Sequence, residues 1–371
     1  MKNFLPAVRR LFRDGKGGGM KAKRAEIIDT TAYYDMHNMP LEVFEQSLDR
    51  AASLIEADVL RIGMLYMNNC KIAHVISQHE GLMNSKMPFE ISKLVKNCPE
   101  VFTYLSLTYE GRERPSDINI TKFDSAVMDS VYTLIQNGYE GATTHMIYRV
   151  MSGNLNQTIS PEMERRVEES VEKLRLITIN IMCEEEMDAR SIGKGVHFES
   201  SLFPCVRISV KVGNKAKVNG YMLYRNALYY YAESIRQIIA APFELRSLSL
   251  PMKTTCDVII IKDYIIQRIE IMKHGQGRKE WNRISLEWYD SEWGRMSGLL
   301  PTLGYTPDQY SRFDAKRSKV NRIITAVLEC FAGIGYINGF EKVSRVIGRG
   351  TRRTVIGYDI SVDRKRQADG P

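Results

Sequence analysis

Twice along this chain the apolar residues recur at spacings of three and four through a series of helices and then switch to a spacing of two. A fold built from such blocks sets a short helical bundle against a small sheet. In the first block Phe123, Val127, Val131, Leu134 and Ile135 form one helical stripe, and Asn137-Gly138 ends it because glycine tolerates the left-handed backbone of a helix end. Thr143 and Thr144 offer N-caps for a second helix that runs to Ser152-Gly153. Ser160-Pro161 opens a third, with serine as cap and proline at the first helical position; Met163, Val167, Val171 and Leu174 are its apolar face. The period then drops to two at Ile177, Ile179 and Ile181, and again at Val206, Ile208 and Val210. After a turn at 213–217, Val218, Tyr221 and Leu223 return. Three helices, a strand and a hairpin follow the order of a winged helix.

The order comes back in the second block. Tyr264, Ile265, Ile269 and Met272 predict a helix ending at His274-Gly275, and a segment holding Trp281, Trp288 and Trp293 follows. A long helix then begins near Pro307 or Phe313, with Val320, Ile323, Ile324, Val327, Leu328 and Phe331 as its stripe. Tyr336 to Val343 reads as a strand, 344–354 as a basic loop bearing Gly348 and Gly350, and 355–362 as the return strand. The expected class is α+β: two tandem winged helices at 116–228 and 263–362, joined by a connector at 229–262. A mixed helical region at 31–115 precedes them, its first helix marked by Leu41, Phe44, Leu48, Ala51, Leu54 and Ile55. Residues 1–30 read as a flexible basic arm and 363–371 as a basic tail.

Charge is distributed unevenly over this plan. The chain carries a net +8, but residues 1–24 hold +7, 25–100 hold −5, 101–200 hold −6, 201–330 hold +8 and 331–371 hold +4. A basic back half and a basic arm around an acidic middle point to a polyanionic partner. The six cysteines lie far apart, with no CxxC spacing and no cluster with the scattered histidines, which predicts reduced thiols and no structural metal. The first residues lack a continuous apolar core, and no stretch approaches the roughly 20 apolar residues of a membrane span, so the expected place is the cytoplasm with no membrane partner. Enzyme signatures are missing. Ser191-Ile-Gly-Lys-Gly195 fails the phosphate-loop pattern because Asp188 stands where its first glycine belongs, and HxH, HExxH and GxSxG do not occur. No catalytic residue, cofactor or enzymatic activity is expected.

The second block carries the better chemistry for DNA. Lys316, Arg317, Lys319, Asn321 and Arg322 crowd the start of its long helix, and Arg and Asn can reach base edges in a major groove that admits a helix. Arg345, Arg349, Arg352 and Arg353 on the adjoining hairpin are placed to hold phosphates. Arg317 and Arg322 lead as base readers. The third helix of the first block presents Glu162, Glu164, Glu168, Glu169 and Glu172, which repel phosphate, so DNA contact there is expected from the hairpin alone, through Lys211, Lys215 and Lys217.

The runs Ile118-Asn-Ile-Thr-Lys-Phe-Asp124 and Thr143-Thr-His-Met-Ile-Tyr-Arg-Val-Met-Ser-Gly-Asn154, with Asp263-Tyr-Ile-Ile-Gln-Arg-Ile269 and Gly335-Tyr-Ile-Asn-Gly-Phe340, resemble the two winged helices of replication initiators from plasmids and integrative elements of Gram-positive bacteria. The resemblance spans about residues 30–362. It implies binding to repeated origin sites in double-stranded DNA, a monomer–dimer equilibrium with the first winged helix as the dimer surface, recruitment of host initiator and helicase proteins, and no nuclease or ATPase activity. The acidic third helix departs from equal DNA roles for the two units. A winged-helix transcriptional regulator or partition protein of a mobile element is the alternative reading.

Overall fold

Capping chemistry sets the first helices. In the computed structural model, which describes residues 25–30, 39–77, 86–90, 101–111, 118–193, 197–212, 217–274, 281–290, 295–305, 313–346 and 353–363, Thr121 and Asp124 cap each other reciprocally at the start of the helix Lys122–Gln136. Thr143 caps Thr144–Ser152, and Ser160, followed by proline, caps Pro161–Arg175.

In chain order the elements are β1 (Ala25–Thr30), α1 (Leu41–Ala57), β2 (Met64–Asn68), α2 (Lys71–Ile76), β3 (Lys86–Glu90), β4 (Phe102–Tyr109), α3 (Lys122–Gln136), β5 (Gly141–Ala142), α4 (Thr144–Ser152) and α5 (Pro161–Arg175). There follow β6 (Ile177–Met182), α6 (Glu184–Ala189), β7 (His197–Ser201), β8 (Cys205–Lys211), β9 (Lys217–Leu223), α7 (Ala227–Ser234), β10 (Ile238–Pro242) and α8 (Glu244–Ser247). The last part holds α9 (Cys256–His274), β11 (Trp281–Ser285), β12 (Trp288–Asp290), β13 (Arg295–Ser297), α10 (Leu299–Thr302), α11 (Phe313–Gly333), β14 (Gly339–Val346) and β15 (Arg353–Ser361). Every strand pairing among the described residues is antiparallel, so helices and sheets mix as α+β rather than as βαβ units.

Two units share one order of elements once the separate ribbon β12–β13 is set aside from the second. In the first, α3, β5, α4 and α5 lead to the hairpin β8–β9, whose sheet runs β1-β8-β9-β5. In the second, α9, β11, the ribbon β12–β13, α10 and α11 lead to the hairpin β14–β15, whose sheet runs β11-β15-β14. In both, the short strand between the first two helices pairs with the second strand of the hairpin. The first unit is interrupted, however. The strand expected at 177–181 is β6, and it leaves the hairpin sheet to join β3-β4-β6-β7. Its Ile177, Ile179 and Ile181 are fully buried, and Leu105 and Leu107 of β4 alternate inward beside them.

Three expected boundaries shift. Ala25–Thr30, placed by sequence in a flexible arm, is an edge strand on β8, while residues 1–24 lie outside the described residues. In the 31–115 region, expected as mixed helical, α1 lies on the hairpin sheet, packing Phe44, Leu48, Ala51 and Ile55 on Val206, Ile208, Val210 and Met222. Cys205, Tyr221 and Leu223 of the same sheet are buried in the main core, each large apolar side chain contributing about 1.5–3 kcal/mol on leaving water. The 229–262 stretch supplies α7, β10 and α8, and β10 pairs with β2, far back along the chain. It also supplies the first turns of α9, which begins at Cys256.

The main apolar core runs without a break from Leu60 to Val362 through both units. Polar contacts pin them together: Gln267 of α9 donates to the Asn68 carbonyl, and Arg246 of α8 bridges α4 and α9. Between the units lies a small cavity lined by His74, Lys122, Asp129, Tyr229, Asp263 and Gln267. Burial pushes the His74 imidazole down to about 3 from 6.5 and the Asp129 carboxyl up to about 6 from 3.8. The two act oppositely on stability. As pH falls below 6.5 the unfolded chain takes up the His74 proton first and the fold loses ground down to about 3. Over the descent from about 6 to 3.8 the folded Asp129 takes up its proton first and the fold gains. Between about pH 7 and pH 4, His74→Gln is expected to flatten the acid-induced fall of the unfolding midpoint and Asp129→Asn to steepen it. Profiles parallel to wild type for both would show that the cavity is open to water.

Candidate nucleic-acid interface

The outer surface of α11 follows from its inner one. Val320, Ile323, Ile324, Val327, Leu328 and Phe331 are buried, which leaves Asp314, Ala315, Ser318, Arg322 and Glu329 exposed, with Thr325 partly exposed between the last two. Ser318 and Thr325 sit one turn either side of Arg322 and are short, so a groove wall can approach the helix closely there. Glu329, two turns beyond Arg322, marks where the basic surface ends. Neither Ser318 nor Thr325 was among the residues expected from sequence; their spacing of four and three from Arg322 is the signal that selects them.

The five expected residues of α11 divide sharply. Arg322 stands in solvent on the outer stripe. Asn321 is beside it, but its side-chain oxygen accepts a hydrogen bond from the buried Tyr358 hydroxyl at 3.1 Å. The other three turn toward the body of the unit. Lys319 pairs with Asp257 at the start of α9, 2.7 Å away, and the Tyr305 hydroxyl donates to the same carboxylate. The Lys316 ammonium lies 5.0 Å from the centre of the Tyr305 ring. Arg317, a leading base reader by sequence, is only 8% exposed: its guanidinium is bound by the Glu287 carboxylate and rests over the Phe313 ring, and burial lowers its pKa. It holds the helix to the ribbon before α10 and is not presented to a groove. Its place three residues before Val320 and seven before Ile324 puts it on the core stripe.

The hairpin stands next to this stripe. Arg345 and Arg353 are exposed near the tip, where Val346 pairs with Arg353 and Arg345 with Thr354. Arg349 and Arg352 lie outside the described residues. A bulge between Val343 and Ser344 bends the ribbon. Between α11 and the ribbon runs a groove lined by Asn321, Arg322, Thr325, Lys342, Tyr358 and Met252. Lys342, exposed on β14 opposite Tyr358, is a further cation that the sequence reading left out. Arg322 and Lys342 line this groove together, and Arg345 and Arg353 stand exposed at the tip of the same ribbon, on adjacent rungs and so on opposite faces of it; the groove can meet phosphates and base edges together.

In the first unit the corresponding helix, α5, has the opposite sign. Glu162, Glu168 and Glu169 are exposed, Glu164 pairs with His145 and Arg165 with Glu169. Arg165 and Arg166 are exposed among these carboxylates, and at the hairpin tip exposed Lys211 and Lys217 are opposite each other in the ladder; Lys215 lies outside the described residues. Among the described residues no group of three or more His, Cys, Asp or Glu side chains is gathered to hold a metal, and no helix is long and apolar enough to cross a membrane.

No family model and no curated protein matches the chain. Two solved structures are similar to it: a crystal structure of RctB domains 2-3, at 12% identity over 79% of this chain and 96% of that one with a TM-score of 0.40, and one of selenomethionine derivatives of RctB domain 2 and domain 3, at 12% identity over 76% and 91% with a TM-score of 0.37. Likeness at this level fixes neither fold nor function.

Proposed function

We propose that the chain is a sequence-specific double-stranded DNA-binding protein, a replication initiator built from two winged helices that binds repeated origin sites and opens the duplex beside them. The observation that carries the reading is the second unit's surface. The exposed stripe of α11 around Arg322 adjoins a basic ribbon, in the order helix, strand, helix, helix, strand, strand once the inserted ribbon β12–β13 is set aside, with the edge strand against the returning hairpin strand. In such a unit the third helix enters the major groove and the ribbon tracks the backbone. Arg322 reads base edges, while Lys342, Arg345 and Arg353 hold phosphates. The protein breaks no bond in this reading. It acts by making the bent or opened duplex the better-bound form, which costs least at flexible steps next to the site. The acidic face of α5 then turns toward protein, either a second copy or host replication factors, since phosphate avoids it.

The test is selection of bound duplexes from a random library and from plasmid origin fragments. Enrichment of a motif that recurs as direct repeats, and plasmid maintenance that depends on the gene, are the expected outcomes. A single operator-like site with maintenance unaffected would move the protein to the regulators. Absence of enrichment at low salt would overturn duplex binding itself.

A further inference from the structure

We propose that Tyr358 is a specificity-determining positioning residue: its hydroxyl fixes which way round the Asn321 amide meets a base, and so sets an adenine beside the base that Arg322 reads. The inference rests on the duplex-binding reading above and names the base chemistry that the same groove takes.

The sheet places the phenol. β15 is the middle strand of β11-β15-β14, and Tyr358 stands opposite Ile284 on one side and Lys342 on the other, so both neighbours hold its backbone. Its ring is buried beside Phe340, and its hydroxyl comes up under α11, in the wall of the groove that Asn321, Arg322, Thr325 and Lys342 line. There it touches one turn of the helix. The Asn321 carbonyl oxygen is 3.2 Å away, Asn321 Oδ1 3.1 Å and Thr325 Oγ1 3.3 Å. Burial raises the pKa of the phenol, which therefore keeps its proton at neutral pH. Both Asn321 oxygens can only accept, whereas the Thr325 hydroxyl has a proton of its own to give. Donation thus runs from Thr325 to Tyr358 to Asn321, and each side chain is used.

The direction of approach decides what is left for DNA. A side-chain amide has two edges, each with an oxygen lone pair or an N–H: an inner one toward its own backbone and an outer one away from it. A hydroxyl that touches both the main-chain oxygen and Oδ1 of Asn321 comes from the backbone side and takes the inner lone pair. The outer lone pair and the outer N–H stay side by side, and among the described residues no group accepts from Nδ2. One donor beside one acceptor is the pattern that pairs with adenine, whose N7 accepts and whose N6 amino group donates. Which end of the amide is oxygen matters, because a half-turn of the side chain sets donor against donor. The phenol settles that sense before any duplex arrives, and binding then loses less freedom than with an amide that turns at will. Arg322 follows Asn321 directly in α11 and lines the same groove, so the two read neighbouring bases.

Motif selection from a random duplex library, with the full-length chain, tests this. Wild type is expected to select an adenine whose preference falls by about 5- to 150-fold in Asn321→Ala, at that position alone. Tyr358→Phe keeps the ring and should keep the adenine, but with about 5-fold less discrimination, the worth of one hydrogen bond. The position read by Arg322 should not change. In the Asn321→Ala background Tyr358→Phe should do nothing further, since the phenol acts through the amide. Asn321→Asp, which disturbs no buried group, should turn the preference from adenine to cytosine, whose amino group meets an acceptor. If Tyr358→Phe lowers the unfolding midpoint while the motif keeps its full discrimination, the phenol is only structural and the inference falls. A wild-type motif in which no adenine depends on Asn321 overturns it too, and both results leave the duplex reading standing. A wild-type chain that enriches no duplex at low salt overturns the inference and that reading together.

Discussion

Replacing Arg246 with alanine is expected to lower the unfolding free energy by about 3–5 kcal/mol, the range for stripping one partner from a buried ion pair. Arg246 is 1% exposed and grips Asp263 with two parallel hydrogen bonds, 2.8 and 2.7 Å long, while a third donor meets the Val150 carbonyl at the end of α4. Its own carbonyl accepts from the Lys262 ammonium, and a Cβ at Gly153 would overlap that carbonyl. The side chain therefore sits where both units meet, and its loss leaves the Asp263 carboxylate buried without its guanidinium. Burial already raises the Asp263 pKa, and Arg246 holds it down. Without the arginine that pKa climbs further above its unfolded value, so the deficit is smallest in acid, where the carboxyl is protonated, and grows as pH rises. Urea melts at about pH 7 and about pH 4.5 check both parts. The double substitution Arg246→Met with Asp263→Leu should recover much of the loss, because an apolar pair of similar volume avoids the desolvation cost. A loss below about 1 kcal/mol for Arg246→Ala at neutral pH would show that the two units do not meet through this pair.

How much of this was legible in the sequence depends on how local the cause is. The caps Thr143 and Ser160-Pro161, the stripes of α3, α5 and α11, and the alternation at 177–181 and 206–210 all follow from short-range rules, and these elements form where the spacing places them. Long-range pairing leaves no such mark. Nothing in Met64–Asn68 says that its partner is Ile238–Pro242, and Ala25–Thr30 becomes a strand because β8 offers it an edge. The same limit split β6 from the hairpin it precedes: alternation announces a strand and its buried face without naming the sheet. At the candidate site, charge was visible and direction was not. Lys316, Arg317 and Lys319 looked alike beside Arg322, yet Asp257, Glu287 and Tyr305, which draw them away, lie as much as 62 residues earlier. For Arg317 the stripe itself held the warning, since it falls in step with Val320 and Ile324.

Arg317 and Arg322 are accordingly expected to fail in different ways when each is changed to alanine. Arg322→Ala removes an exposed side chain, so stability should stay within about 0.5 kcal/mol of wild type. Its effect should appear in DNA binding: a good contact to a base edge is worth about 1–3 kcal/mol of discrimination, roughly 5- to 150-fold between preferred and altered sequences. Arg317→Ala leaves the Glu287 carboxylate, partly buried against the ribbon, without its partner and removes packing under Phe313, and should cost about 3 kcal/mol of stability. With the variant held below its unfolding temperature, its selected DNA motif should match wild type. Arg353→Gln belongs to a third kind: on the exposed ribbon it should weaken binding alike for all sequences and flatten the salt slope by about 1. Denaturation curves, motif selection and salt titrations on the three proteins separate these outcomes. If Arg317→Ala changes the motif while stability holds, and Arg322→Ala changes neither, then the exposed stripe of α11 is not the reading face, and the contact must come from elements that the helix only supports.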